Sequence, residues 1–201
     1  MTLTDSKPPK LGLRERKKIK TREAIQQQAL RLFREQGYYE TTIEQIAEAA
    51  EISPSTFFRY FPTKEALLLE DDYDPLLIEA FRKQPPDLSP LQAIRRAVRI
   101  GFAQIPEEVR NSFRERMSYM LTVPEVRAAS LNYAANTMNL ISKLIAERTG
   151  RDEEDFYVRN IAGAVIGAFL TVQQYAIKHP DEDYLEMFDR ALAHLEAGLP
   201  L

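Results

Sequence analysis

Between Ser53 and Lys64 the chain reads Ser-Pro-Ser-Thr-Phe-Phe-Arg-Tyr-Phe-Pro-Thr-Lys, a run that concentrates hydroxyls, aromatic rings and two cations. Groups of this kind serve nucleic-acid recognition. An arginine fork pairs with a guanine edge or a phosphate, short hydroxyls reach base edges, and apolar rings meet sugars or thymine methyls. Ahead of this run, Lys7 to Arg22 holds eight basic residues against Glu15 alone, a net +7, which leaves −10 on the rest of the chain for a total of −3. A basic arm on an acidic body is either a nucleic-acid contact or a solvated tail, and by charge alone the two readings stand level.

Other chemistries find less support. The 201 residues include no cysteine, and His179 and His194 are the only imidazoles. That removes disulfides, zinc ribbons, thiol nucleophiles and iron–sulfur ligation, and leaves metal hydrolysis with two isolated histidines. No motif fixes two carboxylates at a spacing useful for acid–base work. The expectation is a non-enzyme with no cofactor and no metal, an all-α enzyme being the remote alternative. No run approaches ~20 uninterrupted apolar residues, and no apolar stretch follows the basic N-terminus, so neither a membrane span nor a signal peptide is expected. The chain reads as a cytoplasmic protein of one domain, or of one small domain fused to a larger one.

The elements that must position the Ser53–Lys64 run are helices. From about residue 19 to 36, Ile25, Ala29, Leu32 and Phe33 repeat with helical period, and Gly37 supplies a stop. Thr41 and Glu44 form a capping-box pattern ahead of Ile43, Ile46, Ala47 and Ala50, which predicts a helix of about two turns. Ser53-Pro54 caps a second short helix, Phe61-Pro62 ends it, and Thr63 caps a further one through Leu68. Two short helices joined by about three residues behind a longer support are a helix-turn-helix. The second presents Ser55, Thr56, Phe58, Arg59 and Tyr60, an outward polar and aromatic face that a plain helical hairpin does not need.

The remainder shows helical rather than strand periodicity. Asp74-Pro75 is a kink or a fresh start, Ser89-Pro90 caps a helix to about Ile105, and a long helix runs from near Glu125 to Arg148 before Gly150. Asp152 is read as the cap of the next, which reaches His179, and a last amphipathic helix spans about Asp183 to Ala197. The fold class is all-α, with about nine helices. The expected division is a flexible basic arm over 1–14, a helix-turn-helix domain over 15–70 and a larger helical domain over 71–201.

The segment Thr41-Thr42-Ile43-Glu44-Gln45-Ile46-Ala47-Glu48-Ala49-Ala50, followed by Ser53 through Leu67, resembles the DNA-binding domain of the TetR family of bacterial transcriptional regulators. The likeness covers roughly residues 15 to 70 and rests on the Gly37 stop, the Ile46-Ala47 pair, and the aromatic run before Lys64-Glu65. Two positions depart from the usual pattern. Glu51 stands where glycine is common, at a cost of about 1–2 kcal/mol if the turn needs a positive φ. Phe58 stands where a tyrosine would offer a hydroxyl to phosphate, and so is assigned to sugar or a thymine methyl.

The resemblance, read with the spacing, implies roles for individual residues. Thr42 meets a phosphate at a helix N-terminus, and Ser55 and Thr56 reach base edges from the first turn of the reading helix. Arg59 pairs with guanine or, equally, with phosphate. Tyr60 and Lys64 are phosphate anchors, and Lys17, Lys18 and Lys20 follow phosphates or enter the minor groove.

The resemblance further implies that residues 71–201 form a ligand-binding and dimerisation domain, which binds a small molecule and dimerises through its last two helices. Gly163 and Gly167 permit close helix approach, and Leu185, Phe188 and Leu192 are assigned to the dimer interface. Phe102, Met117, Met120, Tyr133 and Phe169, with Asn136 and Gln173 as polar contacts, are candidate ligand contacts, although each also suits ordinary core. Their chemistry points to a small hydrophobic or aromatic effector. The function implied is a ligand-responsive repressor bound as a homodimer to a near-palindromic double-stranded DNA operator. An activator or a ligand-independent regulator is the alternative.

Overall fold

The computed structural model describes residues 13–70, 74–103, 107–179 and 181–201, and among them there are helices and no strands. The chain divides into two compact units, the first ending at Leu67 and the second beginning at Leu68. Residues 1–12, most of the expected 1–14 arm, lie outside the described residues.

In the first unit α1 (Leu13–Gln36), α2 (Ile43–Ala49) and α3 (Pro54–Tyr60) pack in sequence order. Ile25, Ala29 and Phe33 of α1, Ile46 and Ala47 of α2, and Phe57 and Phe61 at either end of the last turn of α3 are buried. Each large side chain in this group contributes about 1.5–3 kcal/mol of transfer free energy. Helix α1 begins at Leu13, twelve residues before Ile25, the first residue of its apolar stripe. Lys, Arg and Glu are good helix formers, so that stretch needs no buried face to extend a helix already anchored downstream. As a result Lys17, Lys18 and Lys20 stand on the first turns of a helix rather than on an extended arm.

The cap of α2 lies one residue later than the sequence pattern suggests. Thr42, not Thr41, accepts from the backbone of Gln45 at 3.2 Å, and the Gln45 side chain accepts from the Thr42 backbone at 2.9 Å. Thr41 is buried instead, its hydroxyl donating to the Gly37 carbonyl at 2.8 Å. The Ser53 cap with Pro54 behind it is present, and Thr63 caps the single turn α4 (Ala66–Leu69) through the Ala66 amide at 3.2 Å.

The second unit contains α5 (Asp74–Arg82), α6 (Pro90–Ala103), α7 (Glu107–Thr122), α8 (Pro124–Thr149), α9 (Phe156–Lys178) and α10 (Tyr184–Glu196). Helices α5 and α6 pair closely, α8 packs on α7 and α9, and α10 lies against α6 and α9. Gly101 lies where α5 and α6 come close, and a Cβ there would meet the end of the Leu77 side chain, which would have to shift. Arg148 on α8 fixes the loop between α5 and α6, donating to the carbonyls of Gln84 and Leu88 at 3.3 and 3.0 Å and to that of Pro85. The cap of α9 is Asp155, whose Oδ1 accepts from Tyr157 and Val158. Asp152, assigned that role from sequence, accepts from the Glu154 amide in the preceding turn. Arg95 of α6 grips Asp189 of α10 with two 2.8 Å bonds, and that pairing holds the Asp189 carboxyl below its ordinary range.

Candidate functional site

The turn between α2 and α3 sets the reading helix. Helix α2 closes with the Ile52 amide donating to Ala47 at 2.9 Å and the Glu51 amide to Glu48 at 3.0 Å, the two crossed bonds of a Schellman motif. That motif places residue 51 in the left-handed region, and Glu51 is there at φ +55°. Two residues later the Ser53 hydroxyl accepts from the Thr56 amide and sits 2.9 Å from both the Ser55 and Thr56 hydroxyls. The start of α3 is therefore a hydroxyl cluster preorganised by its own cap.

Of the residues assigned to DNA, Thr42, Ser55, Phe58 and Arg59 are exposed, Thr56 and Tyr60 are half-buried, and Lys17, Lys18 and Lys20 are exposed on α1. Phe58 stands edge-on to the buried Phe57, which holds its ring outward, 51% exposed. The Arg59 guanidinium rests 5.5 Å from the centre of the Tyr60 ring. Lys64 behaves differently from its assignment. Its ammonium donates to the carbonyls of Tyr38 at 2.8 Å and Thr41 at 3.0 Å and lies 4.0 Å over the Tyr38 ring. Two of its three N–H groups thus tie the α1–α2 turn to the start of α4, and the geometry is that of a staple.

The Tyr38 hydroxyl completes that staple by donating to Glu65 at 2.9 Å. Partial burial raises the Glu65 carboxyl. Its own amide, the Thr63 hydroxyl, Tyr38 and Lys64 together outweigh this and bring it below the ordinary value.

Arg22 is the residue that charge counting misplaces. It is 9% exposed, donates to the Tyr60 carbonyl at 3.1 Å and stacks 4.4 Å from the Phe61 ring centre, so it braces the C-terminal end of α3. Its position three residues before Ile25 and seven before Ala29, on the same stripe, is the sequence signal that marks it as inward-facing.

The second unit holds a cavity of about 220 Å³ walled mainly by apolar side chains from all six of its helices, with Asp74 and Arg116 also in the wall. Phe102, Met120, Tyr133, Phe169 and Gln173 line it, as expected from sequence. Two assigned residues do not. Asn136 lies one position before the lining Thr137, about 100° around α8, and is exposed. Met117 is buried at 3% but lies beside the lining Arg116 rather than on the cavity side. Arg116 is itself buried and donates to the Glu70 carbonyl at 3.0 Å.

Tyr184 packs edge-on to the lining rings of Phe113 and Phe169. Burial raises its hydroxyl well above the ordinary tyrosine range, which keeps it neutral, and no described group bonds to it.

The residues assigned to a dimer interface also separate. Phe188 and Leu192 turn into the protomer's own core, at 6% and 0% exposure, and Phe188 faces the cavity. The apolar stripe of α10 that carries them covers α6 and α9 of the same chain. Leu185 is half-buried, and Gly163 is half-buried with Met138 3.9 Å from its virtual Cβ. Gly167 is exposed with open space above it.

Comparison with known proteins agrees with these two units. Residues 25–70 match the family of bacterial regulatory proteins described as the tetR family, and residues 88–200 match the MftR C-terminal domain. The chain is 33% identical to the HTH-type transcriptional regulator TcmR of Streptomyces glaucescens, over 98% of this chain and 92% of that one. It is 38% identical to the regulator RutR of Escherichia coli K12 over 44% of this chain and 43% of RutR. Among solved structures, FadR of Thermus thermophilus, a TetR-family repressor in complex with lauroyl-CoA, shares 27% identity and a TM-score of 0.57, covering 90% of this chain and 95% of FadR. A helix-turn-helix unit followed by a helical unit with an apolar cavity, matched along nearly its whole length by such regulators, places this chain in the TetR family of bacterial transcriptional regulators.

Proposed function

We propose that the chain is a repressor that binds a near-palindromic operator as a homodimer in the bacterial cytoplasm and is released by a hydrophobic small molecule. Residues 15–70 serve as the reading domain and 71–201 as the sensor, with the 1–14 arm adding phosphate contacts. The observation that carries the reading is the apolar cavity of about 220 Å³ inside the second unit of a chain whose first unit is a helix-turn-helix. A largely apolar space of this kind binds an organic molecule without needing metal or redox chemistry. The relative FadR, solved with lauroyl-CoA, supports the hydrophobic character of the ligand. Such a ligand lowers operator affinity only by binding the non-reading conformation more tightly than the reading one.

On the DNA side, Thr42 donates to a phosphate from the N-terminus of α2, and Ser55 and Thr56 meet base edges directly or through water. Phe58 contacts a sugar or thymine methyl, Arg59 a guanine and Tyr60 a phosphate, while Lys17, Lys18 and Lys20 follow the backbone. Lys64 acts chiefly as the staple that holds α4 to the α1–α2 turn. The dimer surface is drawn from the outward face of α9 around Gly167, with Leu185 at its border and Gly163 behind it.

Selection of bound duplexes from a random pool tests this reading. The expected product has two inverted half-sites about 34–36 Å apart, or a multiple of that spacing. Arg59→Ala is expected to relax preference at one base pair per half-site, at a cost of about 1–3 kcal/mol. Unselected or asymmetric recovery refutes the dimeric reader, and unchanged preference in the variant makes Arg59 a phosphate contact.

A further inference from the structure

Gln173 is the polar residue in the cavity wall that the fold itself does not explain. On α9 the positions Val165, Ile166, Phe169, Leu170 and Gln173 face the cavity at helical spacing, and the fifth carries a carboxamide where the stripe calls for an apolar side chain. The residue is 94% buried, taking its 6% exposure. Its Nε2 donates to Sδ of Met120 on α7 at 3.7 Å, a weak acceptor, and its Oε1 takes part in no hydrogen bond among the described residues. The other small polar groups of the wall are spent on their own helix: the Ser130 hydroxyl donates to Arg127 at 2.8 Å and that of Thr137 to Tyr133 at 3.1 Å. A buried carboxamide held only by a thioether is less favourable than a leucine or methionine of similar size. Stability therefore does not account for Gln173, whereas a ligand that completes its hydrogen bonding does.

Resting on the reading of this cavity as the effector site, we infer that Gln173 selects the ligand. The molecule it takes is a mostly apolar ring compound bearing a hydroxyl that donates to Oε1. The orientation follows from Met120. With one amide N–H turned to sulfur, Oε1 and the second N–H remain for the ligand, and a hydroxyl can donate to the first while accepting from the second. Size follows from volume: a cavity of about 150 Å³ holds benzene, so about 220 Å³ suits two fused rings.

The test uses the full-length protein and the near-isosteric probes 2-naphthol and 2-methylnaphthalene, with binding measured by calorimetry and by shift of the thermal midpoint. Lauroyl-CoA is a third probe. The wild type is expected to bind 2-naphthol about tenfold or more tightly than 2-methylnaphthalene, because the hydrocarbon leaves the buried oxygen unmatched. In Gln173→Leu and Gln173→Met the two probes are expected to bind within about twofold of each other, with 2-methylnaphthalene gaining affinity. Both variants are expected to melt at or above the wild-type temperature, since they remove an unmatched polar group. Equal binding of the two ring probes by the wild type, or a preference that survives both substitutions, overturns the role of Gln173 and leaves the cavity as an effector site. Binding of lauroyl-CoA alone overturns the hydroxyl-bearing ring while keeping the hydrophobic effector. Binding of none of the three overturns both readings.

Discussion

The Glu51 turn gives a prediction whose size follows from one backbone angle. The Schellman closure of α2 requires its following residue to be left-handed, and Glu51 complies at φ +55°. A residue with a Cβ costs about 1–2 kcal/mol there, and glycine does not. Glycine returns about 0.4–1 kcal/mol of this by loosening the unfolded chain. Glu51→Gly is therefore expected to stabilise the first unit by about 0.5–1 kcal/mol. For a chain of this size, each kcal/mol corresponds to about 2–4 °C in the thermal midpoint. The rise should be about 1–4 °C, read by far-ultraviolet circular dichroism and checked by the urea midpoint.

Glu51→Ala separates strain from charge. Alanine keeps the Cβ and its left-handed cost while removing the carboxylate, so its midpoint should stay at the wild-type value. Operator affinity should sort the other way. If the exposed carboxylate at this turn faces phosphate, Glu51→Ala, Glu51→Gln and Glu51→Gly all bind more tightly at low salt, and the advantage shrinks as salt rises. An alanine variant that melts as high as the glycine variant refutes the strain argument, because both then gain from loss of charge. A glycine variant that melts at or below wild type refutes it as well.

Arg22→Met keeps the aliphatic stem but removes the donor to the Tyr60 carbonyl; it should destabilise by about 1–3 kcal/mol in urea and weaken operator binding without changing sequence preference. Tyr184→Phe deletes a buried hydroxyl that no described group bonds and should raise stability by about 1 kcal/mol, whereas a clear loss in the melting curve would reveal a partner for that oxygen. Acid should unfold both units through their depressed carboxyls. The folded values of Glu65 and Asp189 lie below the ordinary 4.5 and 3.8, so their stabilisation is complete above those values and is lost as pH falls through them and then through the lower folded values. The urea midpoint should be flat above about pH 5.5 and fall below about pH 4.5, with a shallower fall in Glu65→Gln and Asp189→Asn; equal slopes in all three proteins would remove these two groups from the account.

What was legible in the sequence was local. Ser53-Pro54, Thr63, Ser89-Pro90 and Asp183 stand at the helix starts they mark, because each cap is satisfied within three residues. Gly150 ends α8 in the left-handed conformation for the same kind of reason. Misplacements occurred where two neighbours compete for one role. Thr41 and Thr42 are equivalent as letters, and burial of Thr41 against the Gly37 carbonyl decides between them. Cation roles were the least legible. Arg22, Lys64 and Arg148 find carbonyl acceptors 38, 26 and 60 positions away, and no periodicity encodes a partner at that range. Five of the seven residues assigned to a ligand line the cavity, because aromatic and methionine side chains on consecutive amphipathic helices tend to converge. Asn136 failed because a polar residue in an apolar stretch is as consistent with the solvent side as with the inner one.

Helix α9 explains how one cavity can serve a switch. By length and composition it is apolar enough to cross a membrane, with a mean hydropathy of 1.2 over eighteen residues. Its two sides have different uses. Val165, Ile166, Phe169, Leu170 and Gln173 form cavity wall, while Asn160, Gly167, Thr171 and Gln174 are exposed along the opposite side. If a second copy covers that outer side, the helix that touches the effector is also the helix that sets the dimer. No chain of intermediaries is then required: any displacement of α9 that improves contact with the ligand is a displacement of the interface. Linkage makes the relation reciprocal, so a ligand that prefers one dimer geometry by a given factor is itself bound more tightly by that factor when the geometry is imposed. A coupling of about 1–3 kcal/mol is the usual range, and it is small beside the burial that holds α9 in place. With a second copy in that position, effector binding redistributes dimer geometries while both faces of the helix stay packed.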